Sequence, residues 1–65
     1  TDPIPVTLPV ARIRASISAL LAAEGRSIGS EDLWIAATAI AHDLELLTAN
    51  VREFSRVPGL RLVAA

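Results

Sequence analysis

Asp32, Thr48 and Asn50 are the residues whose types could do chemistry together. Asp32 carries a carboxylate, Asn50 an amide oxygen and Thr48 a hydroxyl. These are hard oxygen ligands, suited to Mg²⁺ or Mn²⁺. Asp32 follows Ser30-Glu31 at a helix-start signal, and Thr48-Ala49-Asn50 closes an apolar run. Open parallel sheets bind ligands beyond the carboxyl ends of their strands, where Thr48 and Asn50 would lie. The start of a helix that precedes a strand need not lie at that end, so spacing alone does not bring Asp32 to Asn50. The plainer uses of these residues stay open beside the metal one. Acids in a first helical turn, here Glu31 and Asp32, stabilise the helix dipole without binding anything, and asparagine is a common turn residue. Arg52 and Arg56, spaced i and i+4, form either a small phosphate-binding patch or a solvated face. His42 near a helix end reads as a dipole partner, and Trp34 and Phe54, the only aromatics, read as packing residues. The sequence contains no nucleophile–base pair, glycine-rich phosphate loop or HExxH motif.

The elements that must position these groups follow from periodicity. Ile4, Val6 and Leu8 alternate with Pro5 and Thr7, which predicts a short or edge strand, and Pro9 suits a helix start. A first helix is expected over 10–24, with Ile13, Ile17, Leu20 and Leu21 on one face and Gly25 ending it at C′. Ser30 predicts an N-cap for a second helix reaching 42 or 43. Its stripe is Leu33, Ala37, Ile40 and Leu44, and the rest is so apolar that it should be buried on most sides. A strand over 44–48, a helical turn over 51–57 anchored by Phe54, a Pro58-Gly59 turn and a last strand over 60–63 complete the chain. The order is β-α-α-β-β, an α/β fold with a short parallel sheet and two main helices, read as one domain over 1–65.

Composition narrows the classes. The 65 residues contain no cysteine and one histidine, which excludes disulfides, thiolate zinc and polyhistidine metal sites. The net charge of −1 supplies no global basic field for nucleic acid, and all six basic residues are arginine. No apolar run approaches the roughly 18 residues of a membrane span, and Thr-Asp-Pro-Ile-Pro is no signal peptide, so a cytoplasmic protein without membrane contact is expected. Yet 52% of the chain is apolar and the mean hydropathy is +0.51. A chain this short buries only about 60% of its unfolded surface. Such an oily composition implies a face covered by something else.

Three segments carry a resemblance. They are Ile28-Gly29-Ser30-Glu31-Asp32-Leu33-Trp34-Ile35-Ala36-Ala37, Leu46-Leu47-Thr48-Ala49-Asn50-Val51-Arg52-Glu53-Phe54 and Val57-Pro58-Gly59-Leu60. Together they resemble the carboxy-terminal half of a PIN domain of the VapC toxin type, with its D-x-x-I-A-A, T-x-N/D-x-x-x-F and G-L pattern. The likeness covers nearly all of the chain. It implies a Mg²⁺- or Mn²⁺-dependent ribonuclease from a toxin–antitoxin system, with acids gathered at one end of a parallel sheet. The cation would activate water toward an RNA phosphodiester and offset the developing charge. By position, Asp32 corresponds to the family's acid on this helix, Asn50 to its fourth site position and Thr48 to the residue that organises the site. Glu53 is a looser, additional acid. The resemblance also implies an antitoxin partner and self-association. It places the family's first aspartate and its glutamate in an amino-terminal half absent here, which leaves Asp32 and Asn50 a weak metal site.

Three functional readings follow. One is a ribonuclease fragment, inactive alone. Another is an interaction module that pairs with itself, with a missing amino-terminal half or with an antitoxin. The third is a small α/β domain without catalysis, such as a nucleic-acid-binding accessory, against which the weak charge balance and two aromatics argue.

Overall fold

The structure, a computed structural model, describes residues 8–65. Over these the order is α1 (Leu8–Ala23), α2 (Ser30–Ala41), β1 (Glu45–Thr48), α3 (Val51–Phe54) and β2 (Arg61–Ala64). The expected first strand falls on residues outside the described part, except that Leu8 is helical: α1 opens there, with Pro9 in its first turn, where a missing N–H costs nothing. The helical turn expected after Asn50 is the short α3.

Helix α1 ends where Gly25 takes φ +66°, a left-handed conformation that side chains with a Cβ resist. Its buried residues are Val10, Ile17 and Leu21. Ile13 is half-buried and Leu20 is exposed, so the packed stripe is rotated away from Leu20 relative to the expected one. On α2 the buried residues are Leu33, Ala36, Ala37 and Ala39. Alanines at the crossing let α1 approach closely. Ile35 is exposed, as is Leu44 beyond the helix end, so the expectation of burial on most sides fails for this chain: α1 covers one side of α2 and leaves another open.

β1 and β2 run parallel, with Glu45 opposite Arg61, Leu46 opposite Leu62, Leu47 opposite Val63 and Thr48 opposite Ala64. Parallel neighbours need a crossover, which α3 and the following turn provide. Phe54, 4% exposed, and Val57 plug the core beneath this crossover. Leu46 and Leu62 lean on the same cluster. The other face of the sheet carries Leu47 and Val63, which are exposed neighbours. Arg61 ties the strand start down by donating to the Asp43 backbone carbonyl at 2.6 Å and to its carboxylate at 2.9 Å.

Candidate functional site

The turn after β1 builds the centre of the site. Thr48 ends the strand, and its Oγ1 accepts a hydrogen bond from the Asn50 backbone N–H at 3.0 Å. A hydroxyl accepting two residues on fixes a tight turn, so Asn50 starts α3 directly beyond the strand's carboxyl end. The Asn50 side-chain Nδ2 donates to Glu53 Oε2 at 2.8 Å, which leaves the amide oxygen as the atom able to meet a ligand. The other carboxylate oxygen, Glu53 Oε1, accepts from the Gly29 N–H at 3.4 Å. Glu53 thus bridges α3 to the residue that opens α2.

Asp32 lies in the first turn of α2. Its Oδ2 would be 3.8 Å from a Cβ built on Gly29, so the carboxylate is tucked beside that glycine. Asp32 is half-buried. Desolvation raises its pKa, the negative charge of Glu53 adds to this, Glu53 accepts a hydrogen bond from the protonated form, and Glu31 repels the ionised one. Glu53 moves the other way. The Asn50 amide and then the Gly29 N–H favour its ionised form, and Arg56 helps, against some burial. One neighbouring carboxyl is therefore biased to hold a proton and the other to lose it.

Tertiary structure therefore brings Asp32, Asn50, Thr48 and Glu53 into one connected group. Glu53, the loosest of the expected site residues, is its hub. Ser30 is corrected: Gly29 is the N-cap, no side-chain cap bond forms, and the Ser30 hydroxyl instead accepts from Arg14 Nη2 at 2.9 Å. Arg52 is exposed on α3, whereas Arg56 is half-buried and donates to the Ser27 carbonyl at 3.3 Å. The two arginines are thus differently placed, and only Arg52 is uncommitted among the described residues. Sequence reasoning missed the Gly29 N–H, which carries no side-chain signal, and it missed Arg14.

The donors are carboxylate, amide and hydroxyl oxygens, chemistry that fits Mg²⁺ or Mn²⁺. Two acids already crowd each other here, a repulsion that a cation would offset. The number of donors is smaller than a full shell: among the described residues no group of three or more histidine, cysteine or acidic side chains is arranged to hold a metal.

A parallel strand pair with this polar turn, packed beneath two helices, is a small α/β fold, and the comparisons identify its family. The PIN domain family matches residues 2–60, so the chain belongs to that family. It is 38% identical over 60 residues to Ribonuclease VapC of Rickettsia bellii, covering 92% of this chain and 45% of that protein. A shorter stretch of 37 residues is 51% identical to Ribonuclease VapC1 of Rickettsia felis, covering 57% of this chain and 28% of that relative. The solved VapBC-1 structure of nontypeable Haemophilus influenzae superposes with a TM-score of 0.89 at 31% identity, covering 94% of this chain and 46% of that one. The chain spans less than half the length of these curated relatives.

Proposed function

We propose that this chain supplies one side of a Mg²⁺- or Mn²⁺-dependent endoribonuclease site of the VapC type, and that the 65 residues alone do not cleave RNA. The supporting observation is the gathering of Asp32, Asn50 and Glu53 at the carboxyl end of β1. Asp32 and the Asn50 amide oxygen would hold the cation, with Glu53 as a further carboxylate and Thr48 fixing the turn. Bound there, the cation supplies charge neutralisation at a scissile phosphate. Asn50 orients Glu53, and Gly29 holds it against Asp32. Arg52, exposed on α3, would meet an RNA phosphate. Further acids come from polypeptide outside these residues, because a cation held by so few charges binds weakly.

The test is an RNA cleavage assay on the 65-residue chain with millimolar Mg²⁺ or Mn²⁺. No cleavage above the metal-free control is expected. Metal-dependent cleavage abolished by Asp32→Ala would overturn the claim of inactivity.

A second reading rests on a different observation, the exposed Leu47, Val63, Ile35 and Leu44. On this reading the chain is an interaction module whose apolar surface is covered by a second copy, by an amino-terminal PIN segment or by an antitoxin.

A further inference from the structure

Arg14 is the polar side chain that the site description leaves without a role. It lies on α1, half-buried, with its guanidinium carbon 4.6 Å from the centre of the Trp34 ring. Its Nη2 donates to Ser30 Oγ. Its Nε is shielded from solvent without a hydrogen-bond partner among the described residues. Holding a desolvated guanidinium nitrogen unpaired is unfavourable, so the position is maintained by the stack and the serine contact together. Ser30 and Trp34 are four residues apart and share one face of α2. Asp32, two residues from each, lies roughly 200° round the helix, on the side facing Gly29 and Glu53. The first turn of α2 is thus gripped on one face and carries the candidate metal ligand on the other. No side-chain cap holds this helix start, so beside the burial of Leu33, Ala36 and Ala37 and the Gly29–Glu53 bond, the grip from α1 is the side-chain restraint on its rotation.

We infer that Arg14 is a positioning residue: by clamping Ser30 and Trp34 it sets the rotation of α2 that brings Asp32 beside Glu53 and Asn50. The planar fork is what the role needs, because it can lie flat on an indole and donate sideways at once. A lysine ammonium is a point charge and cannot do both. The assignment deepens the metal-site reading above and rests on it for its consequence, but the clamp itself is measurable without metal.

The experiment compares the whole chain with Arg14→Ala, Arg14→Lys and Ser30→Ala by nitrogen–proton NMR. The Leu44 amide, bonded to Ala39 O at 2.8 Å, serves as the check on folding. The expected result is that the Asn50 side-chain amide signals, which report the bond to Glu53, move in Arg14→Ala while Leu44 stays in place. Arg14→Lys behaves like Arg14→Ala, and Ser30→Ala shows a smaller shift in the same direction. Ser30→Ala loses one hydroxyl and gains helix propensity, so it decides the matter if Arg14→Ala does not fold. Mn²⁺ is then titrated as the probe, and broadening near Asp32 and Asn50 should need about tenfold more ion in Arg14→Ala, the low end for residues that orient metal ligands. Unmoved Asn50 signals in a folded Arg14→Ala, or in Ser30→Ala where the former is unfolded, would overturn the clamp. A lysine variant indistinguishable from the parent would also overturn it. Absence of Mn²⁺ broadening in the parent chain would sink the metal reading instead, and the Asn50 signals would still decide the clamp.

Discussion

The two faces of the small parallel sheet are finished to different degrees. On one face Leu46 and Leu62 pack against a core of Val10, Ile17, Leu21, Leu33, Phe54 and Val57. On the other, Leu47 is 67% exposed and Val63 41%, directly opposite each other in register. Parallel sheets are ordinarily covered on both faces, because the crossovers that connect their strands place helices there. The covered face shows what 65 residues can build with two helices. The bare face carries part of the excess hydrophobicity of the composition, with Leu8, Leu20, Ile35 and Leu44 exposed elsewhere. The polar turn at the end of β1 belongs to neither: it is satisfied internally by the Thr48, Asn50, Glu53 and Gly29 bonds, so its local geometry does not depend on what covers the bare face.

The contrast can be broken most sharply at Phe54. Phe54→Ala removes the plug beneath the crossover, and such truncations cost about 3–5 kcal/mol. A small domain has little more stability than that to lose. Far-ultraviolet circular dichroism should show this variant largely unfolded at room temperature. Retention of a cooperative thermal transition near that of the parent would place the core elsewhere.

The bare face should respond in association rather than in folding. The parent chain is expected to sediment above its 6.8 kDa monomer mass at micromolar concentration, because exposed apolar patches of this kind drive contact. Leu47→Glu places a charge in that patch. It should shift sedimentation toward the monomer while changing thermal stability by no more than about 0.5 kcal/mol, as surface substitutions do. A compact monomer from the parent chain would refute the self-association.

The smallest effect concerns the acids. Asp32 binds its proton more tightly in the fold than in the unfolded chain. Its contribution to stability is therefore fully present below the ordinary aspartate value of about 3.8 and is lost as pH rises through the raised folded value. Asp32→Asn has no such proton to lose. It should melt higher than the parent at neutral pH, with the difference shrinking on acidification toward pH 4. Glu53 bends the profile the other way: its stabilisation is present above the ordinary glutamate value and lost as pH falls through its lowered one. An Asp32→Asn advantage that grows on acidification would show that Asp32 is instead stabilised in its ionised form.

Much of this architecture was legible from residue types. The start of α2 follows from Ser30-Glu31-Asp32, the end of α1 from Gly25, and the helical turn and the turn after it from Phe54 and Pro58-Gly59. Asp32, Thr48 and Asn50 stood out because hard oxygen donors at a helix start and a strand end are a recognisable pattern. The exact face of α1 was not legible. Ile13, Ile17, Leu20 and Leu21 all satisfy helical spacing, and only the crossing with α2 selects Val10 over Leu20. Ser30 illustrates the same limit: a serine before two acids suits an N-cap, but the opportunity to accept from Arg14 exists only once α1 is packed alongside.

The sequence by itself determined the helices, the short strands, the donor chemistry and the surplus of apolar surface, because these depend on spacing of a few residues and on composition. Only the tertiary structure decided that Glu53 joins Asp32 to Asn50, that Arg14 reaches α2, and that Leu47 and Val63 share a bare face. Each joins residues from separate elements, and no local periodicity encodes how two elements rotate and slide against each other when their side chains pack.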